Sequence, residues 1–176
     1  MEDNTDLRSE GDRLQPALLD RLTDDEPDAK AESAQHAVVS KGRLKRTVLR
    51  DLIWLLNTTA HHTAGQLDAY PEVRRSVLNF GIPVLSGKNF SGLDWRDLER
   101  KIYDAILIFE PRILPESLSV KAFAPGDPLG HHNLLQFELR GELWSMPFPI
   151  ELLLRSELDL ETGYMKLTDQ LATGGA

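Results

Sequence analysis

Apolar residues recur along the chain first at helical spacing and then at strand spacing. Leu44, Val48, Leu52, Leu55 and Leu56 fall on one face of a helix over 40–57, which Ser40 can cap. Pro71 suits the first position of a short helix ending near Asn79, with Gly81 past its end. Gly81-Ile82-Pro83-Val84-Leu85-Ser86-Gly87 then reads as a rigid connector. Trp95, Leu98, Ile102, Ala105, Ile106 and Phe109 predict a third helix over 94–109. Pro111 stops it, because the residue before a proline is pushed out of helical geometry. After Pro115 the period falls to two. Leu118, Val120 and Ala122 alternate with polar positions, as do Leu135, Phe137 and Leu139, and then Leu152, Leu154, Ser156, Leu158 and Leu160. One apolar and one charged face imply an antiparallel sheet wet on one side. The pattern predicts an α+β fold of about three helices followed by a small antiparallel sheet of roughly three strands, the helices packed on one face.

Charge divides the chain differently. The 176 residues carry a formal net charge of −8. Residues 1–37 hold 11 acids and 4 bases, whereas the rest of the chain holds 17 acids and 16 bases. The acidity therefore belongs to an N-terminal extension, residues 1–39, on a nearly neutral body over 40–167, with 168–176 expected to be a flexible tail. Most of the extension lacks the apolar surface that would offset the entropy of ordering it. Its exception lies within 14–25, where Leu14, Leu18, Leu19 and Leu22 share one helical face. Such a segment either packs on its own body or docks on a partner. Residues 26–39 read as a linker. On the helix over 40–57, Lys41, Arg43, Lys45, Arg46 and Arg50 make a basic run that suits either a solvated face or an anion-binding one.

The acidic balance argues against nucleic acid, whose phosphates need Lys and Arg. No apolar run reaches the ~18 residues of a membrane span, so no direct membrane insertion is expected. There are no cysteines, which excludes disulfides, thiol catalysis and thiolate metal sites and suits a cytoplasmic location. The pairs His61-His62 and His131-His132 lie in predicted loops without carboxylates at ligand spacing, so neither metal nor cofactor is expected. Glycoside hydrolysis needs two carboxylates across a cleft, and Glu110 with Asp104 or Glu116 is the pair on offer. No recognisable catalytic pattern accompanies it.

Phe109-Glu110-Pro111-Arg112-Ile113 stands out, because it joins the last helix to the first strand with opposite charges on either side of a rigid proline. An arginine fork suits bidentate pairing with carboxylate. Either the two charges clamp the corner internally, or they reach charged groups on a neighbouring subunit. A small sheet with free edges also offers a template for an added strand.

Four blocks occur in order: Leu18-Leu19-Asp20-Arg21-Leu22-Thr23-Asp24-Asp25; Asp51-Leu52 through Leu55-Leu56-Asn57-Thr58; Ser76-Val77-Leu78-Asn79-Phe80-Gly81-Ile82-Pro83; and Phe109-Glu110-Pro111-Arg112. Over roughly residues 14–160 the chain resembles the TssE family of type VI secretion baseplate subunits. Through it, the chain resembles the baseplate wedge protein of contractile phage tails that was named for lysozyme. The resemblance implies a structural, non-enzymatic subunit in a cytoplasmic baseplate at the inner face of the inner membrane. Its implied partners are TssF, TssG and TssK in the wedge and TssB and TssC in the sheath. It also implies that Glu110, Pro111 and Arg112 match the Glu-Pro-Arg signature tied to baseplate assembly and sheath attachment, so that Arg112→Ala should abolish sheath assembly and leave the fold intact. The competing readings are a peptidoglycan hydrolase and a single-partner regulatory adaptor with the same fold.

Overall fold

In a computed structural model, which describes residues 18–22, 40–62, 65–84, 94–123, 134–145 and 147–171, the change of period becomes a change of layer. The helices are α1 (Leu18–Leu22), α2 (Lys41–Leu56), α3 (Pro71–Arg74) and α4 (Trp95–Phe109). The strands β1 (Ser119–Phe123), β2 (Leu134–Leu143), β3 (Ile150–Asp159) and β4 (Met165–Asp169) follow. They form one antiparallel sheet in the order β1-β2-β3-β4. The α+β class and the helix-then-sheet order are as the pattern predicts.

Local chemistry sets the helix ends. Ser40 Oγ accepts the Arg43 N–H at 3.2 Å and starts α2. Asp94 Oδ1 accepts the Arg96 and Asp97 N–H groups and starts α4. The expected helix to Asn79 instead breaks in two. Ser76 Oγ donates to Val73 O and accepts from Leu78 N, so the chain closes α3 at Arg74 and resumes as a 3₁₀ turn, Val77–Asn79. Gly81 has φ +124°, and a Cβ there would lie 2.3 Å from Thr58 O. That close approach lets Ile82 exchange backbone hydrogen bonds with Thr58 and Ala60, which ties the connector to the end of α2.

The apolar faces meet in one core. Leu44, Val48, Leu52, Leu55 and Leu56 of α2 and Leu98, Ile102, Ala105 and Ile106 of α4 are buried against Leu135, Phe137, Leu139, Leu152, Leu154 and Leu158. α4 lies over β1 and α2 over β4. On the opposite face Gln136, Arg140, Arg155, Glu157 and Lys166 are exposed. Ser156 sits among the inward apolar residues, buried and with its hydroxyl unpartnered among the described residues.

The fourth strand goes beyond the three read from the sequence. Asp159 Oδ1 accepts the N–H groups of Glu161 and Thr162, and Gly163 turns with φ 74°, which sends the chain back along β3. Met165 and Leu167 then complete the buried face. β4 runs to Asp169, which Lys45 of α2 holds in an ion pair of 2.8 Å.

Candidate functional site

The helix-to-sheet corner is built from the end of α4 outward. Glu110 caps α4 with its N–H on Ile106 O. The chain turns through exposed Pro111, with the Ile113 N–H returning to Glu110 O. It is then pinned to the end of β2: Leu114 N–H donates to Glu142 O, and Trp144 N–H donates to Arg112 O, both at 2.8 Å. Ser117 Oγ adds a brace by accepting from Glu142 N and donating to Leu114 O. Gly141 makes room, since a Cβ there would come within 3.2 Å of Ile113 Cγ2.

On this scaffold Glu110 and Arg112 chelate one another. Arg112 Nε donates to Glu110 Oε1 at 2.6 Å and Nη2 donates to Oε2 at 2.5 Å, while the Arg112 backbone N–H also reaches Oε1. Glu110 is only 3% exposed, so its carboxylate is compensated inside the fold. A second carboxylate enters from α2: Asp51 Oδ2 accepts from Arg112 Nη2 at 2.6 Å. Burial alone would lower the Arg112 pKa, but hydrogen bonds and charge from Glu110, then from Asp51, overcome it and raise it above the ordinary guanidinium value. Arg112 Nη1 makes no hydrogen bond among the described residues, and it is the remaining donor edge of the fork.

The cluster continues away from the corner. Asp51 Oδ1 pairs with Arg50 Nε at 3.0 Å and Nη2 at 2.9 Å. Arg50 Nη1 reaches Asp20 of α1 at 2.6 Å, and its guanidinium lies 5.1 Å from the centroid of the Trp54 ring. For Arg50, too, burial opposes the charge, but the bonds to Asp20 and Asp51 prevail and its pKa rises. Of the proposed docking leucines, Leu18, Leu19 and Leu22 are exposed on α1, Leu18 to 70% and Leu22 to 74%. Leu14 lies outside the described residues. The short helix thus turns a carboxylate toward α2 and its leucines outward.

The sequence singles out Glu110, Pro111 and Arg112, whereas Arg50 enters only within the basic run of α2 and Asp51 only within one of the four blocks, neither as a partner of the corner. Adjacent Arg and Asp on a helix are common, and nothing periodic signals that Asp51 meets a residue 61 positions away. Of the basic run on α2, Lys45 and Arg50 are engaged in ion pairs, whereas Lys41 and Arg46 are exposed.

The other candidates do not join this site. Asp104 and Glu116 are exposed, whereas Glu110 is buried with both carboxylate oxygens on Arg112, so the three do not form a pair of carboxylates facing one another across a cleft. His61 and His62 stack edge to face with ring centroids 4.5 Å apart, while His131 and His132 lie outside the described residues. Among the described residues no group of three or more His, Asp or Glu is placed to hold a metal ion, and no helix is long and apolar enough to cross a membrane.

No curated relative and no solved structure matches the chain. A family model does. Residues 42–147, more than half of the chain and including all of α2 but its first residue, α4, the Glu110–Arg112 corner, β1 and β2, match the family described as baseplate wedge protein gp25, and the chain belongs to that family.

Proposed function

We propose that the chain is a TssE-type subunit of a type VI secretion baseplate. On this reading it is a structural component, packed in the wedge with TssF, TssG and TssK, that connects the baseplate to the contractile sheath of TssB and TssC and supports sheath assembly. It works in the cytoplasm, at the inner face of the inner membrane. The observation that carries the reading is membership of the baseplate wedge family with the Glu110-Pro111-Arg112 corner lying inside the matched span.

The corner would act as a fixed face rather than a reaching arm. Glu110 and Asp51 already neutralise Arg112, so a third carboxylate at Nη1 would meet net negative charge. Backbone carbonyls of a wedge neighbour, beside exposed Pro111, suit that edge better. The leucines of α1 supply a second contact, an apolar helical face for a groove on a partner. Sheath attachment uses an edge strand, β1 or β4. Glu99 occupies the Ala122 N–H on β1, and Asn57 occupies both backbone groups of Met165 on β4. An incoming strand would therefore begin at Val120 or Leu167, whose backbone groups face outward by the alternation of the ladder.

The test replaces the native copy in cells with Arg112→Lys and follows labelled sheath. Lysine keeps a cation beside buried Glu110 but removes the planar fork. Arg112→Ala is the harsher variant, since it strands the Glu110 carboxylate in the fold, and it is no longer expected to be structurally silent. The expected result is normal protein level and loss of sheath assembly with Arg112→Lys. Sheaths that form and contract normally with both variants would remove the corner from assembly.

A further inference from the structure

Five charges of alternating sign run in contact from the corner to the N-terminal helix: Glu110, Arg112, Asp51, Arg50 and Asp20. The Glu-Pro-Arg signature covers only the first two. Asp51 is shared between two cations, with Oδ2 on Arg112 Nη2 and Oδ1 on Arg50 Nε and Nη2. Because a carboxylate is planar, a rotation that improves one of these contacts disturbs the other. Arg50 is shared in the same way between Asp51 and Asp20, and the Trp54 ring beneath its guanidinium restricts it further. Asp20 itself belongs to a helix of five residues. So short a helix is marginal in water on its own. Its leucines are exposed rather than packed into the core, and the Asp20–Arg50 ion pair ties α1 to α2.

We propose that Asp51 is the positioning residue of the Glu110–Arg112 corner, and that α1 acts on that corner through Asp20, Arg50 and Asp51. With Asp20 seated on Arg50, Arg50 is balanced between two carboxylates and Asp51 remains directed toward Arg112. With Asp20 withdrawn, Arg50 turns fully onto Asp51, and Arg112 loses part of the hold that orders its Nη1 edge. Any event that lifts Asp20 off Arg50 is then felt at Arg112. These pairs are part-buried and share members, so each responds to changes in the next. The use of this link in assembly rests on the wedge reading above, whereas the link itself does not.

Solution NMR of the purified full chain tests the link without any partner, through the exchange rate of the Arg112 Nε–H with water. Asp51→Asn should speed that exchange on the order of tenfold, and Asp20→Asn about threefold, with the backbone amide of Ile106 unchanged in both. In the Asp51→Asn background, adding Asp20→Asn should have no further effect on Arg112. An Arg112 Nε–H indifferent to Asp20→Asn overturns the proposal, as does an Asp20→Asn effect that persists undiminished without Asp51. Sheath formation in Arg112→Lys cells is a separate readout, so the wedge reading and the link can fail independently.

Discussion

The two ends of the charged chain use nearly the same contact in different settings. Arg112 meets Glu110 at 2.5 Å and Arg50 meets Asp20 at 2.6 Å. At the corner, the carboxylate is buried, receives three N–H groups and is followed by backbone pinned at Arg112 and Leu114 to Trp144 and to Glu142 of β2. At α1, the carboxylate sits on a single turn of helix whose leucines are exposed. Distance therefore does not rank these pairs. What separates them is how much water the fold has removed and how firmly each partner's backbone is held. A rigid end and a loosely seated end, joined through Arg50 and Asp51, are what a subunit needs if one surface must keep its shape while another finds its place.

The largest effect should come from emptying the rigid end. Glu110→Ala leaves Arg112 with one carboxylate instead of two, removes an acceptor from its backbone N–H, and opens a hole behind the corner. Breaking a buried pair from one side costs most when the charge left behind is uncompensated; here Asp51 still holds Arg112, so about 2–3 kcal/mol is expected. Urea unfolding of the purified chain should show a loss of that order, against a change within about 1 kcal/mol for Asp20→Asn. Equal losses at the two sites would erase the distinction between the ends.

A milder version of the same contrast appears in two other carboxylates. Asp159 is held below the usual carboxylate range chiefly by the backbone N–H groups of Glu161 and Thr162. Asp97 is held below it by hydrogen bonds from Lys101 and then Arg100 on the exposed side of α4. In both, the folded pKa lies below the unfolded one. Each contribution is thus complete above the ordinary value of about 3.9 and is lost as pH falls through the lowered one. The urea midpoint should hold steady from about pH 7 to pH 5 and fall below about pH 4. Salt should distinguish the two. At about 1 M, the stability difference made by Asp97→Asn should shrink through screening, while that made by Asp159→Asn persists because fixed backbone donors hold it. A difference equally sensitive to salt at both sites would mean that side-chain and backbone partners are not distinct here.

Periodicity made most of this fold legible. The α2 and α4 faces, the alternation of β2 and β3 and the stop at Pro111 are local facts that survive in the structure because each serves the same core. β4 was harder to read, since its five residues place only Met165 and Leu167 in the core and its turn depends on Asp159 and Gly163 acting together. The split of α3 turned on one hydroxyl, that of Ser76. At the site, the Glu-Pro-Arg spacing drew attention to the corner because a proline between opposite charges is a local signal. It left open an internal clamp or charged groups on a neighbouring subunit, and in the structure the guanidinium meets Glu110 and, from α2, Asp51. Contacts across 30 and 61 residues leave no trace in spacing, so the part of the cluster contributed by α1 and α2 became visible only in three dimensions.

The smallest stability effect belongs to the leucines of α1, and its size decides what that helix is for. Leu52 is fully buried, and truncation to alanine should cost about 2–5 kcal/mol by lost transfer energy and the cavity left behind. Leu18 and Leu22 are mostly exposed, so Leu18→Ala and Leu22→Ala should stay within about 0.5 kcal/mol of the parent in the same urea titration. Evaluated with the docking proposal, a stability near that of the parent is the informative outcome: side chains that contribute almost nothing to the isolated chain, yet repeat at helical spacing, are surplus until a second surface covers them. A Leu22→Ala cost approaching that of Leu52→Ala would instead mean that the leucines have a seat on their own body in solution. Asp20 would then be one contact among several, and α1 would belong with the core rather than with the partners.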